Sequence, residues 1–236
     1  MRLGIALVLA AGAALAGWFV GEGFRLGRQE ERWVSVKGIA EREAKADLVL
    51  WPLRFVVTGD ELSVVQATSR KDADAVRRFL TGAGVSPEAI EVQGIEVTDV
   101  LANAYRSGPA DTRFIVAQTL MVRSTDVDRL AAVSQRVGEL VDAGVVLSSE
   151  GGGGPYYLFT KLNDVKPAMI AEATKRAREG AEQFAADSGS RVGGIRRASQ
   201  GLFQILARDD TPGVTEQRQV AKTVRVVTTI DYLLVD

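Results

Sequence analysis

The side chains that could do chemistry in this sequence are carboxylates, lysines and tyrosines, because the chain contains no cysteine and no histidine. That absence excludes thiolate nucleophiles, Ser-His-Asp triads, histidine bases and Cys/His zinc sites. Two carboxylates could still act as the acid and base of a hydrolase. The candidates for this role are Asp99, Asp111, Asp209 and Asp210. Because no motif connects them, we expect no catalytic residue, no metal and no cofactor, and we keep the hydrolase as an alternative.

Two segments resemble ligand-binding loops. Four glycines at 151–154 precede Pro155, but neither a Lys-Ser/Thr pair nor a helix start follows them, as a phosphate-binding loop requires. The glycines instead predict a break between two strands. Asp209 and Asp210 precede Thr211-Pro212-Gly213, where carboxylate oxygens could bind a divalent cation weakly. The turn residues favour a loop without metal.

Aromatic side chains form a third candidate site. Tyr156, Tyr157 and Phe159 are the densest aromatic cluster, and Trp51 and Phe55 alternate along an earlier strand. Core packing is the default interpretation of both groups. The alternative is a small-ligand carrier, in which the aromatic side chains near Tyr156 line a pocket opened by the glycine break.

The N-terminal stretch from Leu3 to Gly21 contains no charged side chain. As a helix it would be roughly 28 Å long, close to the roughly 30 Å hydrocarbon core of a bilayer. Ala14-Leu15-Ala16 fits a signal-peptidase site, but apolar residues continue beyond it. We therefore expect residues 1–29 to form an uncleaved transmembrane anchor or signal segment with a short linker, and residues 30–236 to form one exported domain.

The expected location is the bacterial inner membrane, crossed once, with the C-terminal domain in the periplasm. Only Arg2 precedes the apolar stretch, whereas Arg25, Arg28 and Arg32 follow it, which is opposite to the positive-inside rule. We keep this orientation because a short tail before an exported domain is typical of secretory segments. The formal net charge is −1 with both signs interspersed, so we expect no nucleic-acid binding.

Hydrophobic periodicity predicts three helices after this segment. The first begins at the capping box Thr58-x-x-Glu61 and ends near Ala83. The second begins near Thr125 and ends before Gly144.

The third predicted helix begins at Asn163 or Asp164 and has Pro167 in its first turn. Its apolar stripe is predicted to consist of Met169, Ile170, Ala173, Ala177, Ala181 and Phe184.

Alternating apolar residues predict strands around 114–122 and 224–234. The alternation shifts by one residue at Gly94, which indicates a β-bulge. Pro52 interrupts another strand and should lie at a bend or an edge.

The predicted elements form a repeat. The segments from Trp33 to Arg123 and from Val145 to Val235 each have the order βαββ, and the second helix connects them. We therefore predict an α+β fold with two βαββ-like units, antiparallel sheet and three helices, preceded by one N-terminal membrane helix.

Two long segments carry a family resemblance. RWVSVKGIAEREAKADLVLWPLRF, from Arg32, and LFTKLNDVKPAMIAEATKRAREGAEQFAADSGSRVGGIRRASQGLFQI, from Leu158, resemble the SIMPL-domain family, a bacterial family of periplasmic and envelope proteins of unknown function. The resemblance extends from Trp33 to Val235. It implies an exported or anchored α+β domain, a link to stress responses and a tendency to oligomerise, and it identifies no catalytic residue.

These observations favour a non-enzymatic, membrane-anchored periplasmic envelope protein that acts by self-assembly or partner binding. The membrane, through the N-terminal helix, and further copies of the chain are its expected partners. Long strands that could pair at their edges support this hypothesis.

Overall fold

Two sheets and the helices that accompany them make up most of the described part of the chain. The computed structural model describes residues 11–22, 32–102, 111–149 and 153–236. These residues contain eight strands, namely β1 Trp33–Lys45, β2 Leu48–Gly59, β3 Ile90–Asp99, β4 Phe114–Ser124, β5 Tyr156–Leu158, β6 Arg191–Gln200, β7 Gln204–Ala207 and β8 Ala221–Val235. They also contain five helices, namely α1 at 11–22, α2 Leu62–Gly82, α3 Val127–Ser134, α4 Gly138–Asp142 and α5 Leu162–Asp187.

The predicted α+β class with antiparallel sheet is confirmed. One sheet has the strand order β3-β4-β2-β5, and the other has the order β1-β8-β6 with β7 beside β8. The pairs β2–β4, β3–β4, β2–β5, β6–β8 and β7–β8 are all antiparallel.

The chain divides into two compact units. Unit 1 takes the described residues within Met1–Ile39, Ile170–Gly201 and Val227–Asp236, and unit 2 takes those within Ala40–Met169 and Leu202–Val226. Both units draw on the predicted domain 30–236, whose boundaries remain a prediction.

Bulky side chains form the core of unit 2. Alternate residues of β2 are buried, as expected of a strand with one face on a core, and pack with the apolar faces of α2 and α3. The largest fully buried members of this core are Trp51, Phe55, Leu80, Leu120, Leu130 and Leu140.

Small side chains form the helix face of the corresponding core of unit 1. Ala177 and Ala181 of α5 pack with Val36, Ile230 and Tyr232 of the sheet. A methyl group on Gly38 of β1 would lie 1.8 Å from the Ala173 carbonyl oxygen, so only glycine fits where this strand meets the helix.

Each of the three predicted helices needs a correction. Thr58 is not a helix cap, because it belongs to β2. The helix α2 begins at Leu62 after Glu61, whose side chain makes no capping hydrogen bond.

The predicted second helix is two helices, α3 and α4. The Arg136 N–H donates to the Val133 carbonyl, a tighter turn than in an α-helix, and Gly138 follows, which favours helix less than most residues.

The third predicted helix also differs in detail. It begins at Leu162, so Asn163 and Asp164 lie within its first turn, and Pro167 lies inside the helix. Phe184 is wrongly assigned to the buried stripe, because its side chain is 60% exposed and Ala185 takes the buried position instead.

One prediction about the strands is confirmed, and a second stays a prediction. The β3–β4 register shifts between Val92 and Gly94, which is the expected bulge. Pro52 lies within β2 opposite Met121 of β4, between the β5 pairing at Leu48–Leu50 and the bridge from Phe55 to Leu147, so the expected bend or edge at this residue stays a prediction.

The predicted strand order is incomplete. A hairpin of two strands, β1 and β2, precedes α2 where one strand was expected, because Ala46 and Asp47 interrupt the extended chain. β7 was missed altogether, since four residues are too few for a periodic signal.

The predicted membrane span from Leu3 to Gly21 lies partly outside the described residues, the first of which is residue 11. Residues 11–22 form α1, and its large apolar side chains Leu15, Trp18, Phe19 and Val20 are exposed. Within the described ranges, no helix combines the length and the apolar character needed to cross a membrane.

Candidate functional site

The outer edge of β3 is the most exposed regular feature of unit 2. Every residue from 91 to 98 is exposed, and among the described strands β3 pairs only with β4. The Val100 N–H donates to the Arg113 carbonyl at 2.8 Å at the end of this ladder. Because backbone groups alternate in direction along a strand, the N–H and C=O groups of Ile95 and Val97 point away from β4. Within the described ranges these groups make no backbone hydrogen bond, so a further strand could pair with them.

One face of β3 carries apolar side chains. Ile95 is opposite Gln118 of β4, whose amide oxygen accepts a hydrogen bond of 3.1 Å from the Ser69 hydroxyl of α2. Cross-strand partners share a face, so Ile95 and Val97 lie on the side of the sheet that faces α2. The side chains remain largely in water, with exposures of 50% for Val92, 58% for Ile95 and 54% for Val97.

The opposite face of β3 is acidic. Glu91 and Glu96 pair with Met121 and Ala117 of β4, and the Arg54 guanidinium bonds to Glu96 at 3.0 Å. This hydrogen bond and charge hold the pKa of Glu96 below its usual value. Asp99, at the end of the strand, pairs with Phe114 and so lies on the face of Ile95 and Val97, where Arg113 lowers its pKa in the same way.

The strand β6 forms a similar edge in unit 1. Among the described strands it pairs only with β8, and eight of its ten residues are exposed. The Gly201 N–H donates to the Val227 carbonyl at 2.8 Å, so by alternation the backbone groups of Ala198 and Gln200 point away from β8. Ile195, opposite the buried Tyr232, is 52% exposed and lies on the apolar face.

The charged side chains of β6 are basic. They are Arg191, Arg196 and Arg197, where β3 has Glu91, Glu96 and Asp99. Arg197 is opposite Asp231 of β8, and the Arg196 guanidinium lies 5.3 Å from the centre of the Trp33 ring. The two edges therefore combine exposed apolar residues with charges of opposite sign.

The edge of β1 is different. Its charged residues alternate in sign, as Lys37, Glu41, Arg42, Glu43 and Lys45. Mixed charges of this kind are a common protection against edge-to-edge pairing.

Two cavities adjoin the end of the glycine run in unit 2. The first, of about 330 Å³, is lined by Trp51, Arg54, Leu147 and Gly153 among others. The second, of about 340 Å³, shares Arg54 and Gly153 and adds Tyr156. An apolar wall with an arginine is suited to an anionic aromatic or aliphatic ligand.

The predicted break at 151–154 falls partly outside the described residues, which resume at Gly153. Gly153 and Gly154 both have positive φ, at 37° and 98°. The Arg218 guanidinium fixes the following backbone by donating to the Gly154 and Pro155 carbonyls at 2.7 and 3.1 Å, and it lies 4.1 Å from the centre of the Tyr156 ring.

The predicted aromatic candidates separate into two groups. Trp51, Phe55 and Tyr157 are buried in the core of unit 2, which confirms their default interpretation. Tyr156 lines the second cavity, and Phe159 is half-buried in the loop after β5.

The predicted carboxylates are not brought to either cavity. Asp99 and Asp209 each contact an arginine, Arg113 at 3.0 Å and Arg208 at 2.9 Å, and these contacts lower the pKa of both carboxyl groups. Asp111 and Asp210 are exposed, and neither cavity is lined by any of the four. No group of three or more acidic side chains suited to a metal ion occurs within the described ranges.

The two strand edges were not identified from the sequence as a site. Their signal was present, since IEVQGIEVTD and RVGGIRRASQ differ in charge while each alternates apolar residues. The sequence pattern does not give the order of the strands in each sheet. That order decides which strands lie at an edge, and only an edge strand offers its backbone to a partner.

A comparison with models of protein families identifies the family of this chain. A model of the family described as "SIMPL: Protein of unknown function (DUF541)" matches residues 34–230. A search of curated proteins found no similar sequence. The resemblance stated from the sequence is confirmed.

Proposed function

The chain belongs to the SIMPL family, whose function is unknown, and from the exposed strand edges we propose that it is a non-enzymatic envelope protein that acts by self-assembly. The observation that carries this proposal is β3, a ten-residue edge strand with outward backbone groups and three half-exposed apolar side chains. Such a strand is a template for pairing with another chain.

Pairing of these edges would supply part of the free energy that association needs. Burial of a valine or isoleucine side chain contributes up to about 1.5–3 kcal/mol, and each new backbone hydrogen bond a net 0.5–1.5 kcal/mol, roughly. A stable interface also needs each partner to bury on the order of 800 Å² of accessible surface, which is more than one strand supplies. Side chains beside the strand must therefore contribute to the contact.

Sedimentation velocity of the full chain in mild detergent, from nanomolar to high micromolar concentration, tests the proposal. We expect the weight-average mass of the protein to rise with concentration above that of the 25.3 kDa monomer. A monomer over the whole range would contradict self-assembly.

The charge-free stretch from Leu3 to Gly21 supports a further part of this proposal, a single-pass tether in the bacterial inner membrane with the remaining chain in the periplasm. A stress-related role belongs to the same proposal. So do two βαββ-like units, for which the shared order of β2-α2-β3-β4 and β5-α5-β6-β8 is the support, with β1 and β7 as additional strands. A reporter that is active only in the cytoplasm, fused to the C-terminus, should be inactive, and activity would contradict this orientation.

A second candidate function is the binding of a small anionic ligand, favoured by the cavity of about 330 Å³ beside Trp51 and Arg54. Naphthalene sulfonate is a suitable probe, observed by NMR with the full chain in lipid nanodiscs. Ser134→Phe would fill the cavity and should abolish binding, whereas Ser63→Phe on α2 should not. Equal binding by both variants would contradict a site in this cavity.

A further inference from the structure

We propose that the edge strand β3 of one copy pairs with the edge strand β6 of a second copy, so that one sheet continues into the other. This inference deepens the proposed self-assembly and rests on it. The occupant of each edge is thereby defined as a particular strand of the same sequence.

Charge is the first reason for this pairing. The ten residues of β3 contain three acidic side chains and no basic one, and the ten residues of β6 contain three basic side chains and no acidic one. Opposite charges on neighbouring strands stabilise a sheet, whereas like charges directly opposite one another destabilise it. A β3–β3 or β6–β6 contact would bring like charges together, so the complementary contact is favoured.

The distribution of residues over the two faces is the second reason. Glu91 of β3 and Arg197 of β6 both lie on the face away from the helix of their own unit, opposite Met121 and Asp231. Ile95 and Ile195 lie on the opposite, apolar faces. When two sheets join with their faces aligned, Glu91 therefore meets basic side chains on one side, and Ile95 meets apolar side chains on the other side, where Asp99 also lies.

Several of these charges already have a partner within the chain. Glu96 and Asp99 contact Arg54 and Arg113, and Arg197 lies opposite Asp231 of its own β8, so the contribution of these charges to a second copy is reduced. Glu91 has no such arginine contact in the described part of the chain, which makes it the better position for a test.

The test uses two charge reversals in the full chain. Glu91→Arg makes the β3 edge less acidic, and Arg197→Glu makes the β6 edge less basic. Each variant alone should assemble about tenfold more weakly, because in each the β3–β6 contact loses an attraction and gains a repulsion. An equimolar mixture of the two variants should regain the assembly of the unaltered chain, because the altered β3 of the first variant then meets the altered β6 of the second.

Matched controls place the same charge changes elsewhere. Asp74→Arg and Arg70→Glu alter exposed residues of α2 and should leave assembly within twofold of the unaltered chain, separately and mixed. Far-ultraviolet circular dichroism of each variant verifies that it is folded. Sedimentation velocity in detergent measures all samples at the same concentrations and ionic strength.

The outcomes separate the two proposals. Weaker assembly of each edge variant alone, together with restored assembly in the mixture, supports the β3–β6 pairing. Wild-type assembly by both edge variants, or no recovery in the mixture, overturns the pairing while self-assembly stands. A wild-type chain that is monomeric at every concentration overturns both.

Discussion

Unit 2 and unit 1 both pack a helix against a sheet, but they do so with side chains of different size. In unit 2, large side chains such as Trp51, Phe55 and Leu120 fill the space between the elements. In unit 1, Ala177 and Ala181 face the sheet and Gly38 meets the helix backbone directly. We expect the stability of unit 2 to fall most when a substitution removes side-chain volume, and the stability of unit 1 to fall most when a substitution adds it.

The largest expected effect comes from adding one methyl group to unit 1. In Gly38→Ala the new Cβ would lie 1.8 Å from the Ala173 carbonyl oxygen, which belongs to the backbone and cannot rotate away. We expect a loss of at least about 5 kcal/mol, comparable with the total stability of a small unit.

Gly180→Ala is the matched control on the facing helix. Its added methyl would lie 3.9 Å from Val36 Cγ1, an ordinary contact, and alanine favours helix over glycine by roughly 0.5–1 kcal/mol. In thermal unfolding, the melting temperature of Gly38→Ala should fall and that of Gly180→Ala should rise. Equal shifts in the melting temperatures of the two variants would contradict the close packing of β1 on α5.

The next largest effect comes from removing volume in unit 2. Phe55→Ala would leave a cavity at a fully buried position, and we expect the free energy of unfolding to fall by about 3–5 kcal/mol. Phe184→Ala, at a position that is 60% exposed, should cost less than about 1 kcal/mol. Urea titrations of both variants check the comparison, and a similar loss from Phe184→Ala would show that this side chain is buried.

A smaller effect is expected at the buried ion pair of unit 2. The Lys222 side chain is 0% exposed, and its ammonium lies 2.6 Å from Glu216 Oε1. Glu216→Ala leaves a buried cation without its carboxylate and should cost about 2–3 kcal/mol. Lys222→Met removes the charge but keeps the length, so the same denaturation assay should show a smaller loss. A larger loss from Lys222→Met would contradict this account.

The smallest expected effect concerns Asp72 of α2, also in unit 2. Burial raises the pKa of this carboxyl group, and Lys71 opposes the shift. The folded state therefore binds the proton more tightly than the unfolded state, and stability falls as pH rises from the usual pKa of 3.8 through the raised value. Asp72→Asn should gain on the order of 1 kcal/mol at pH 7, and the gain should vanish below pH 3.8. A gain independent of pH would contradict burial as the cause.

The sequence predicted the features that depend on local burial. Alternation located β4 and β8, the slip at Gly94 marked a real bulge, and the Ala173, Ala177 and Ala181 stripe is buried. These signals are reliable because one side of each element faces a core along most of its length.

Features that depend on tertiary context were missed. Phe184 has the spacing of a core residue, yet at the end of α5 its side chain lies in solvent. The break between α3 and α4 follows from a tight turn at Val133 and Arg136 that periodicity does not reveal. The candidate site was missed for a related reason, since periodicity detects strands but not whether a strand has a neighbour on both sides.

The central claim is that the exposed edge of β3 joins copies of the chain. Val97→Pro tests it directly, because the backbone N–H of Val97 points away from β4 and proline removes this donor without removing a β3–β4 hydrogen bond. Val97→Thr keeps the donor and serves as the control. In sedimentation of the full chain, we expect Val97→Pro to shift assembly to much higher concentration and Val97→Thr to shift it little. Assembly of folded Val97→Pro at the wild-type concentration would contradict the account.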